Sequence, residues 1–585
     1  MESDEIKSDK ILVKEIFSSM WFRVPEYQRP YVWGADEIND LLDDISYAML
    51  EKPDSEYFLG SFVYQSKSAN PVAGNQFDEN DLLDGQQRMT TLLLLFSVIR
   101  DIAANPKAKE RCQQCILQEA DEYTNTPERS RITFCIRQDA QDFIDVVVKE
   151  VGTTQNDELL DEYKKSGSDI SIQNMAKAIG HIKKFFSDNK KVEPDRLLKF
   201  LLNNVLLIYV STENLDDAFR LFTILNDRGV PLRNSDILKS INLGALTTEE
   251  EKKKYAKLWE DAESELGEDF DRFLNYIRTL LVKEKARLNL LQEFEDKIYE
   301  PKEKEKSTGK KKPPLLAKGK ETFQMVEKYL KLYKQLFDSS NYDLTGDFKF
   351  DNLLKVMSTG LPSSDWIPPL LRYYDKFGRT RLYDFLLALD NKFSADWVTQ
   401  ETPTARIEAM NTVIKKIDED EATADDVFSS GCLNINDDDL KRMLEGKIYG
   451  RRFARYILLK LDYLFQNHDQ KMHFETLSVE HILPQNPEAE SQWAADFSED
   501  ERSKVTDTLG NLVLITRRKN TSQGRLDYSE KKKRYFEKNI DTCPNSLRIL
   551  QNYDQWTPVQ LSANHNETIN RLMKHYGVVA SKAAA

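Results

Sequence analysis

Soft metal ligands are scarce in this chain: five cysteines and six histidines serve 585 residues. The cysteines (Cys112, Cys115, Cys135, Cys432 and Cys543) are odd in number and scattered, which argues against a disulfide framework and for reduced thiols. Cys112 and Cys115 have no second pair to complete a tetrahedral zinc site, and they read as the surface of a helix. Long apolar runs are missing too. The longest, Leu92 to Ile99, is broken by Ser97 and falls far short of the ~20 residues a membrane span needs. The charged start, Met1 to Lys7, lacks a signal peptide's apolar core, so a soluble, cytoplasmic protein is expected. There is no Gly-rich phosphate loop followed by Lys-Ser/Thr, which excludes a P-loop motor. Nor is there an excess of positive charge. A net charge of −15 excludes a protein that coats nucleic acid indiscriminately, though not one with a local basic groove.

What remains is ordinary globular material, with 40% hydrophobic and 31% charged residues, long enough for three or four domains of about 150 residues. Residues 1–20 read as an amphipathic helix. Phe22 to Trp33 is aromatic and punctuated by Pro25 and Pro30. Helix returns from Ala35, with Ile38, Leu41, Leu42 and Ile45 at helical spacing. Tyr57 to Tyr64 and Gln76 to Leu83 read as a hairpin with Pro71 and Gly74 between them, and Val205 to Val210 as a buried strand. A helix from Leu215 to Asn226 is followed by another that Asn234 to Asp236 caps. From about 245 to 440 the pattern is helical, with Trp259, Phe270, Phe273, Tyr276 and Leu280 as core positions. It is interrupted by a Lys/Glu/Pro/Gly segment at about 301–320 that reads as a mobile loop.

Two constellations carry chemistry. Near the C-terminus, Leu477 to Val479 reads as a strand that ends in Glu480-His481 and turns at Pro484. About thirty residues later comes Leu509-Gly510-Asn511, a second strand Leu512 to Ile515, and then Asn520 at the start of a helix. Glu480 and the Asn520 amide offer hard oxygens to Mg²⁺ or Mn²⁺. His481 can deprotonate water near neutral pH. The Asn511 amide can hold the histidine loop. Arg517, Arg518, Lys519 and the run Lys531, Lys532, Lys533 would attract a phosphate backbone locally. Taken singly, His481 reads as a core histidine and Asn511 as a turn former. In this order they make a phosphodiester-hydrolysing set.

Near the N-terminus, Asp84-Gly85-Gln86-Gln87-Arg88 lies between a strand and a helix. A helix N-terminus favours phosphate, Gly85 lets a backbone approach closely, and Arg88 can pair with the charge. The plain alternative is that Asp84 only caps the helix. Asn226 to Gly229 reads equally as a helix C-cap. Tyr27, Tyr31 and Trp33 could stack on a base, although core packing is the commoner fate of such aromatics.

Together these motifs resemble the GmrSD-type, modification-dependent (type IV) restriction endonucleases, over roughly residues 10–245 and 440–585. The resemblance implies an α+β, predominantly helical chain. A ParB/sulfiredoxin-like α/β domain (1–245) would bind a nucleoside triphosphate through Asp84, Gly85, Gln86, Gln87 and Arg88, with Gln28, Arg29, Asn226 and Arg228 on the same cleft. A helical connecting domain (246–440) would follow, and then a ββα-metal (HNH) nuclease domain (441–585). In the last, His481 is the general base with Asn511 at the middle motif position, Glu480 and Asn520 serve the metal, and Trp493 to Thr508 is an insertion. The function implied is NTP-regulated, metal-dependent cleavage of modified phage double-stranded DNA in antiviral defence. The motifs do not say which of GTP, ATP, UTP or CTP is preferred, and double-strand cleavage could require a homodimer. Two other readings stay open: a nucleotide-responsive regulatory DNA-binding protein, and a general DNA-nicking effector.

Overall fold

The computed structural model describes residues 7–25, 28, 30–68, 78–123, 128–134, 138–165, 170–212, 233–304, 311–337, 342–473, 477–516, 525–537 and 543–582. The chain divides into two compact units, residues 1–265 with 318–320, and residues 266–317 with 321–585. No described helix is long and apolar enough to cross a membrane.

The strands, in chain order, are β1 (Lys7–Leu12), β2 (Phe22–Val24), β3 (Tyr57–Ser68), β4 (Asp78–Asp84), β5 (Leu117–Gln118), β6 (Arg129–Ser130), β7 (Ile132–Phe134), β8 (Val205–Thr212), β9 (Leu477–His481) and β10 (Leu512–Thr516). The first unit holds a six-stranded mixed sheet in the order β1-β8-β3-β4-β2-β7. The pairs β1/β8 and β3/β4 are antiparallel, and β8/β3, β4/β2 and β2/β7 are parallel. The β3/β4 hairpin and β8 form where apolar alternation and β-branching indicated. The turn carrying Pro71 and Gly74 lies outside the described residues, as does the expected Leu215–Asn226 helix.

The N-terminus departs from expectation. Instead of one amphipathic helix, β1 pairs along β8 from Lys7↔Ser211 to Leu12↔Leu206, and a short helix, Val13–Ser19, follows. Without β1 the apolar β8 would leave a row of backbone groups open at the sheet edge. The Glu15 carboxylate accepts the Leu12 N–H at 3.2 Å and starts the helix.

The Gln86–Ile102 helix runs through the centre of this unit. Every residue from Met89 to Arg100 is buried, as an all-round apolar helix requires. Arg100 is tolerated because Asp101 lies 2.8 Å away and the carbonyls of Val148, Lys149 and Glu150 accept its remaining hydrogens. Cys112 and Cys115 are not on a surface: one face of the Pro106–Ile116 helix turns both inward. Burial pushes the Cys115 thiol up to about 11 and Cys112 higher still.

Among its described residues the second unit is helical apart from β9 and β10. Phe270, Phe273, Tyr276 and Leu280 are buried on the Phe270–Val282 helix, as their spacing indicates. Helices Leu382–Val398, Ala454–Phe465 and Pro558–Lys582 meet at a buried polar knot. Lys460 pairs with Asp390 at 2.9 Å, donates to Asn391 Oδ1 and Ser394 Oγ, and lies over the Tyr576 ring at 3.9 Å. Asn391 in turn donates to the His575 carbonyl at 3.1 Å. In the segment expected as a loop at 301–320, the described flanks are tied together. Lys304 bridges to Lys311, and Glu303 takes ion pairs from Lys297 and Lys312.

β9 and β10 form an antiparallel ladder with Leu512↔His481 and Thr516↔Leu477 in register. A small core of Leu483, Trp493, Phe497, Ile515, Tyr528 and Trp556 closes around it. Trp493 and Phe497 come from the segment expected to be an insertion. It folds as two short helices, Gln492–Asp496 and Glu499–Val505, the second started by a Ser498/Glu501 capping box. That segment is therefore part of the core.

Candidate active site and nucleotide site

His481 is the last residue of β9, and its side chain is 10% exposed. Its Nε2 lies 3.1 Å from Asp507 Oδ1. An ionised carboxylate can only accept, so Nε2 donates and the imidazole lone pair resides on Nδ1. The Tyr449 ring packs edge-on against the imidazole with centroids 4.2 Å apart. Burial lowers the His481 pKa below its ordinary value and Asp507 opposes the shift, so the ring is neutral at neutral pH and able to accept a proton. Asp507 is itself fixed. Gln485 donates to the same Oδ1 at 3.0 Å, and the Ile448 and Tyr449 N–H groups donate to its carbonyl.

Asn511 lies in a single 3₁₀ turn before β10 and is fully buried. Its Oδ1 accepts the Leu483 N–H at 2.8 Å, and its Nδ2 donates to the Leu483 carbonyl at 2.9 Å and the Thr506 carbonyl at 2.8 Å. The amide thus clamps the loop that leaves His481. Gly510 is required for a different reason. A Cβ there would sit 2.5 Å from His565 Cβ and 2.7 Å from its Cα, where the Gly510 N–H donates to His565 Nδ1 and its carbonyl accepts from Asn564.

Glu480 stands beside His481, half-buried. Burial raises its pKa and Lys531 pulls it down. Lys531 Nζ is 3.1 Å from Glu480 Oε1 and also donates to the His481 and Ile482 carbonyls. Expected on a phosphate-facing surface, Lys531 is instead 3% exposed. Lys532 is engaged by the Tyr553 carbonyl and Asp554, and Lys533 is exposed. Arg517, Arg518, Lys519 and Asn520 lie outside the described residues. The cavity that Glu480, Lys531 and Tyr528 share is about 20 Å³, room for one water. Among the described residues, no group of three or more His, Cys, Asp or Glu could hold a metal. Glu480 carries a hard oxygen donor of the kind Mg²⁺ or Mn²⁺ takes, but Lys531 already pairs with it and the adjoining cavity has room for a single water.

Spacing alone missed Asp507 and Tyr449. Both reach His481 through tertiary folding, and neither falls on a periodic stretch.

In the first unit, Asp84 ends β4, Gly85 (φ +83°) caps the central helix, and Gln86, Gln87 and Arg88 form its first turn. A Cβ on Gly85 would meet Phe62 Cβ at 2.7 Å. Gln28 donates to the Leu83 carbonyl at 2.8 Å. Gln87 accepts the Val32 and Trp33 N–H groups and donates to the Pro30 carbonyl at 2.9 Å. The chain on both sides of Arg29 is thereby pinned to the Asp84–Arg88 turn, while Arg29, Asn226 and Arg228 themselves lie outside the described residues. Tyr31 is wholly buried, its hydroxyl bonded to Thr91 at 2.8 Å. Arg88 is seated in a β-bulge. It donates to the Ser61 carbonyl at 2.9 Å, and a Cβ on Gly60 would fall 2.9 Å from its guanidinium carbon. Burial lowers its pKa, and Asp84 opposes this.

Two family models match the ends of the chain: the GmrSD restriction endonuclease N-terminal domain over residues 12–243, and the GmrSD restriction endonuclease C-terminal domain over residues 434–570. The chain belongs to the GmrSD restriction endonuclease family. It is accordingly a type IV restriction endonuclease, a nuclease whose substrate is DNA. The Asp84–Arg88 turn falls within the first matched stretch, and the β9/β10 ladder with Glu480, His481, Asp507 and Asn511 within the second. No curated protein matches the chain.

Proposed function

We propose that this GmrSD endonuclease cleaves modified phage DNA through a one-metal HNH-type site centred on His481, under the control of a nucleoside triphosphate bound at the Asp84–Arg88 turn. The observation that carries the reading is the pairing of His481 with Asp507 at 3.1 Å, one residue from the buried carboxylate of Glu480.

In this reading Glu480 and Asn520 would hold Mg²⁺ or Mn²⁺, which would supply positive charge to the scissile phosphate. His481 takes a proton from the attacking water on Nδ1. Asp507 keeps the imidazole in the tautomer that leaves Nδ1 free and stabilises the imidazolium that forms. Asn511 and Lys531 hold the strand end rigid, so that His481 keeps one orientation. In the first unit, the N-terminus of a 17-residue helix favours an anionic ligand, and Gln87 holds the Pro30–Trp33 strap beside it. Arg29, Asn226 and Arg228 complete the nucleotide cleft in this proposal.

The test is cleavage of plain and modified phage DNA by the purified chain with Mn²⁺ or Mg²⁺, with and without each nucleoside triphosphate. His481→Ala is expected to abolish cleavage while NTP binding persists. Full cleavage by that variant would refute the assignment of the base.

A further inference from the structure

The lysine run expected to meet DNA is largely engaged within the protein: Lys531 is buried against Glu480, and Lys532 is held by Asp554. Positive charge stands free elsewhere beside His481. Between Glu445 and Asp462 the chain has no Asp or Glu, while it carries Lys447, Arg451, Arg452, Arg455 and Lys460. Lys460 is buried in its pairing with Asp390. The other four are exposed, and among the described residues none of their side chains has an ion pair or hydrogen bond. The backbone beneath them is fixed. Ile448 and Phe453 are buried, Phe453 against Trp397 with ring centroids 6.4 Å apart. The Arg451 N–H donates to the Ile448 carbonyl and the Ala454 N–H to the Arg451 carbonyl, both at 3.0 Å, and Gly450 makes the corner with a left-handed φ of +78°.

The same segment is tied to the histidine. The Ile448 and Tyr449 N–H groups reach the Asp507 carbonyl at 2.9 and 3.2 Å, and the Tyr449 ring rests against the His481 imidazole. Arg451 follows Tyr449 by two residues, at most about 7 Å of chain. A DNA strand advances about 3.4 Å along its axis per phosphate, so these cations lie within a few phosphates of the imidazole. Crowding four like charges on one surface raises the free energy of the chain, and a polyanion laid across them lowers it again.

We propose that Lys447, Arg451, Arg452 and Arg455 form the surface on which the DNA backbone lies as it enters the His481 site. The contact is to phosphate and not to base edges, so it is blind to sequence and to base modification. Its place in the reaction rests on the reading of His481 as the general base. Each cation that neutralises a phosphate releases counter-ions, so the logarithm of the affinity falls by about 0.9 per logarithmic unit of salt for every contact.

Binding of a short, unmodified, fluorescein-labelled duplex to the full chain in EDTA tests this apart from cleavage. The double variant Arg451→Ala/Arg452→Ala is expected to bind more weakly, with a salt slope shallower by about 2, and Arg455→Ala with one shallower by about 1. Arg451→Lys/Arg452→Lys should keep the wild-type slope. Lys190→Ala/Lys191→Ala makes the same change in net charge on exposed residues of the first unit and should leave the slope as it is. Unchanged slopes in the arginine-to-alanine variants, or an equal loss in the Lys190/Lys191 variant, would overturn the surface. His481→Ala is expected to bind the duplex with the wild-type slope and to lose cleavage. If it cuts fully while the arginine variants lose slope, the assignment of the base fails and the DNA surface stands. If it loses cleavage while the arginine variants bind as wild type does, the surface fails and the base stands.

Discussion

Asp462 lies wholly inside the second unit, where it accepts the Asn545 N–H at 2.9 Å and burial pushes its carboxyl up from 3.8 to about 7. Between those two values the folded chain keeps a proton that the unfolded chain has released. Stability therefore falls as pH rises through this window, by about 1.4 kcal/mol per pH unit at most, and levels off above it. Asp462→Asn keeps the acceptor without the charge. Its melting temperature at pH 8 is expected to exceed that of wild type, with the two converging near pH 4; parallel melting curves across that range would contradict the burial argument. Asn411 is a second residue whose surroundings dictate a sign. It is fully buried beside a cavity of about 130 Å³ also lined by Asn275, Lys285 and Asp365, and neither amide atom has a hydrogen-bond partner among the described residues. Asn411→Leu should stabilise the chain by about 1 kcal/mol. A lower melting temperature would show that bound solvent or a ligand satisfies the amide.

At the scale of elements, the turn between the two helices of the 492–505 segment and β10 determines how the end of β9, with Glu480 and His481, sits. Asn511→Ala removes three buried hydrogen bonds and is expected to cost about 3 kcal/mol, read as a shift in the denaturant midpoint, with cleavage falling alongside. Gly510→Ala drives a methyl into the His565 backbone and should cost about 1–3 kcal/mol. In the first unit, Gln87→Ala releases the Pro30–Trp33 strap. NTP affinity should drop, and protease cutting near Arg29 should quicken, while DNA cleavage chemistry persists in any NTP-independent assay. Several of these elements were legible in the sequence. β8, β9, β10 and the β3/β4 hairpin announce themselves by short apolar runs and turn residues, and Asp84-Gly85 ends β4 and begins a helix because Gly85 adopts a left-handed conformation. β1 was not legible. Lys7 to Leu12 has no strand signal of its own and pairs only because β8 offers an edge. Asp507 was hidden for a similar reason, since a single carboxylate on a turn acquires meaning only when folding brings it to His481. Lys531 was misjudged because a run of three lysines looks uniform in sequence, while the helix turns one of them inward.

At the scale of the whole molecule, the two matched stretches fall in different compact units, so their proposed chemistries should separate by mutation. Arg88→Ala is expected to reduce NTP hydrolysis without altering Mn²⁺ binding, and His481→Ala to do the reverse of the pair, sparing hydrolysis while removing cleavage. Loss of both activities in either variant, with normal melting, would argue against two separate sites. The net charge of −15 fits the same division, because only a local surface needs to meet DNA. The helical stretch from 244 to 433, outside both matched regions, carries no motif. Its helices follow from apolar periodicity alone, and periodicity says nothing about a purpose.

The 25-residue C-terminal helix, Pro558–Lys582, touches both kinds of structure in the second unit. Near its start, Asn564 and His565 hold the Gly510 backbone next to Asn511. Further along, His575 and Tyr576 join the Lys460 knot of the helical body. A rigid rod fixed at two such points is a lever. A tilt of the helical body is therefore coupled, through backbone and not through solvent, to the turn beside Asn511 from which β10 starts.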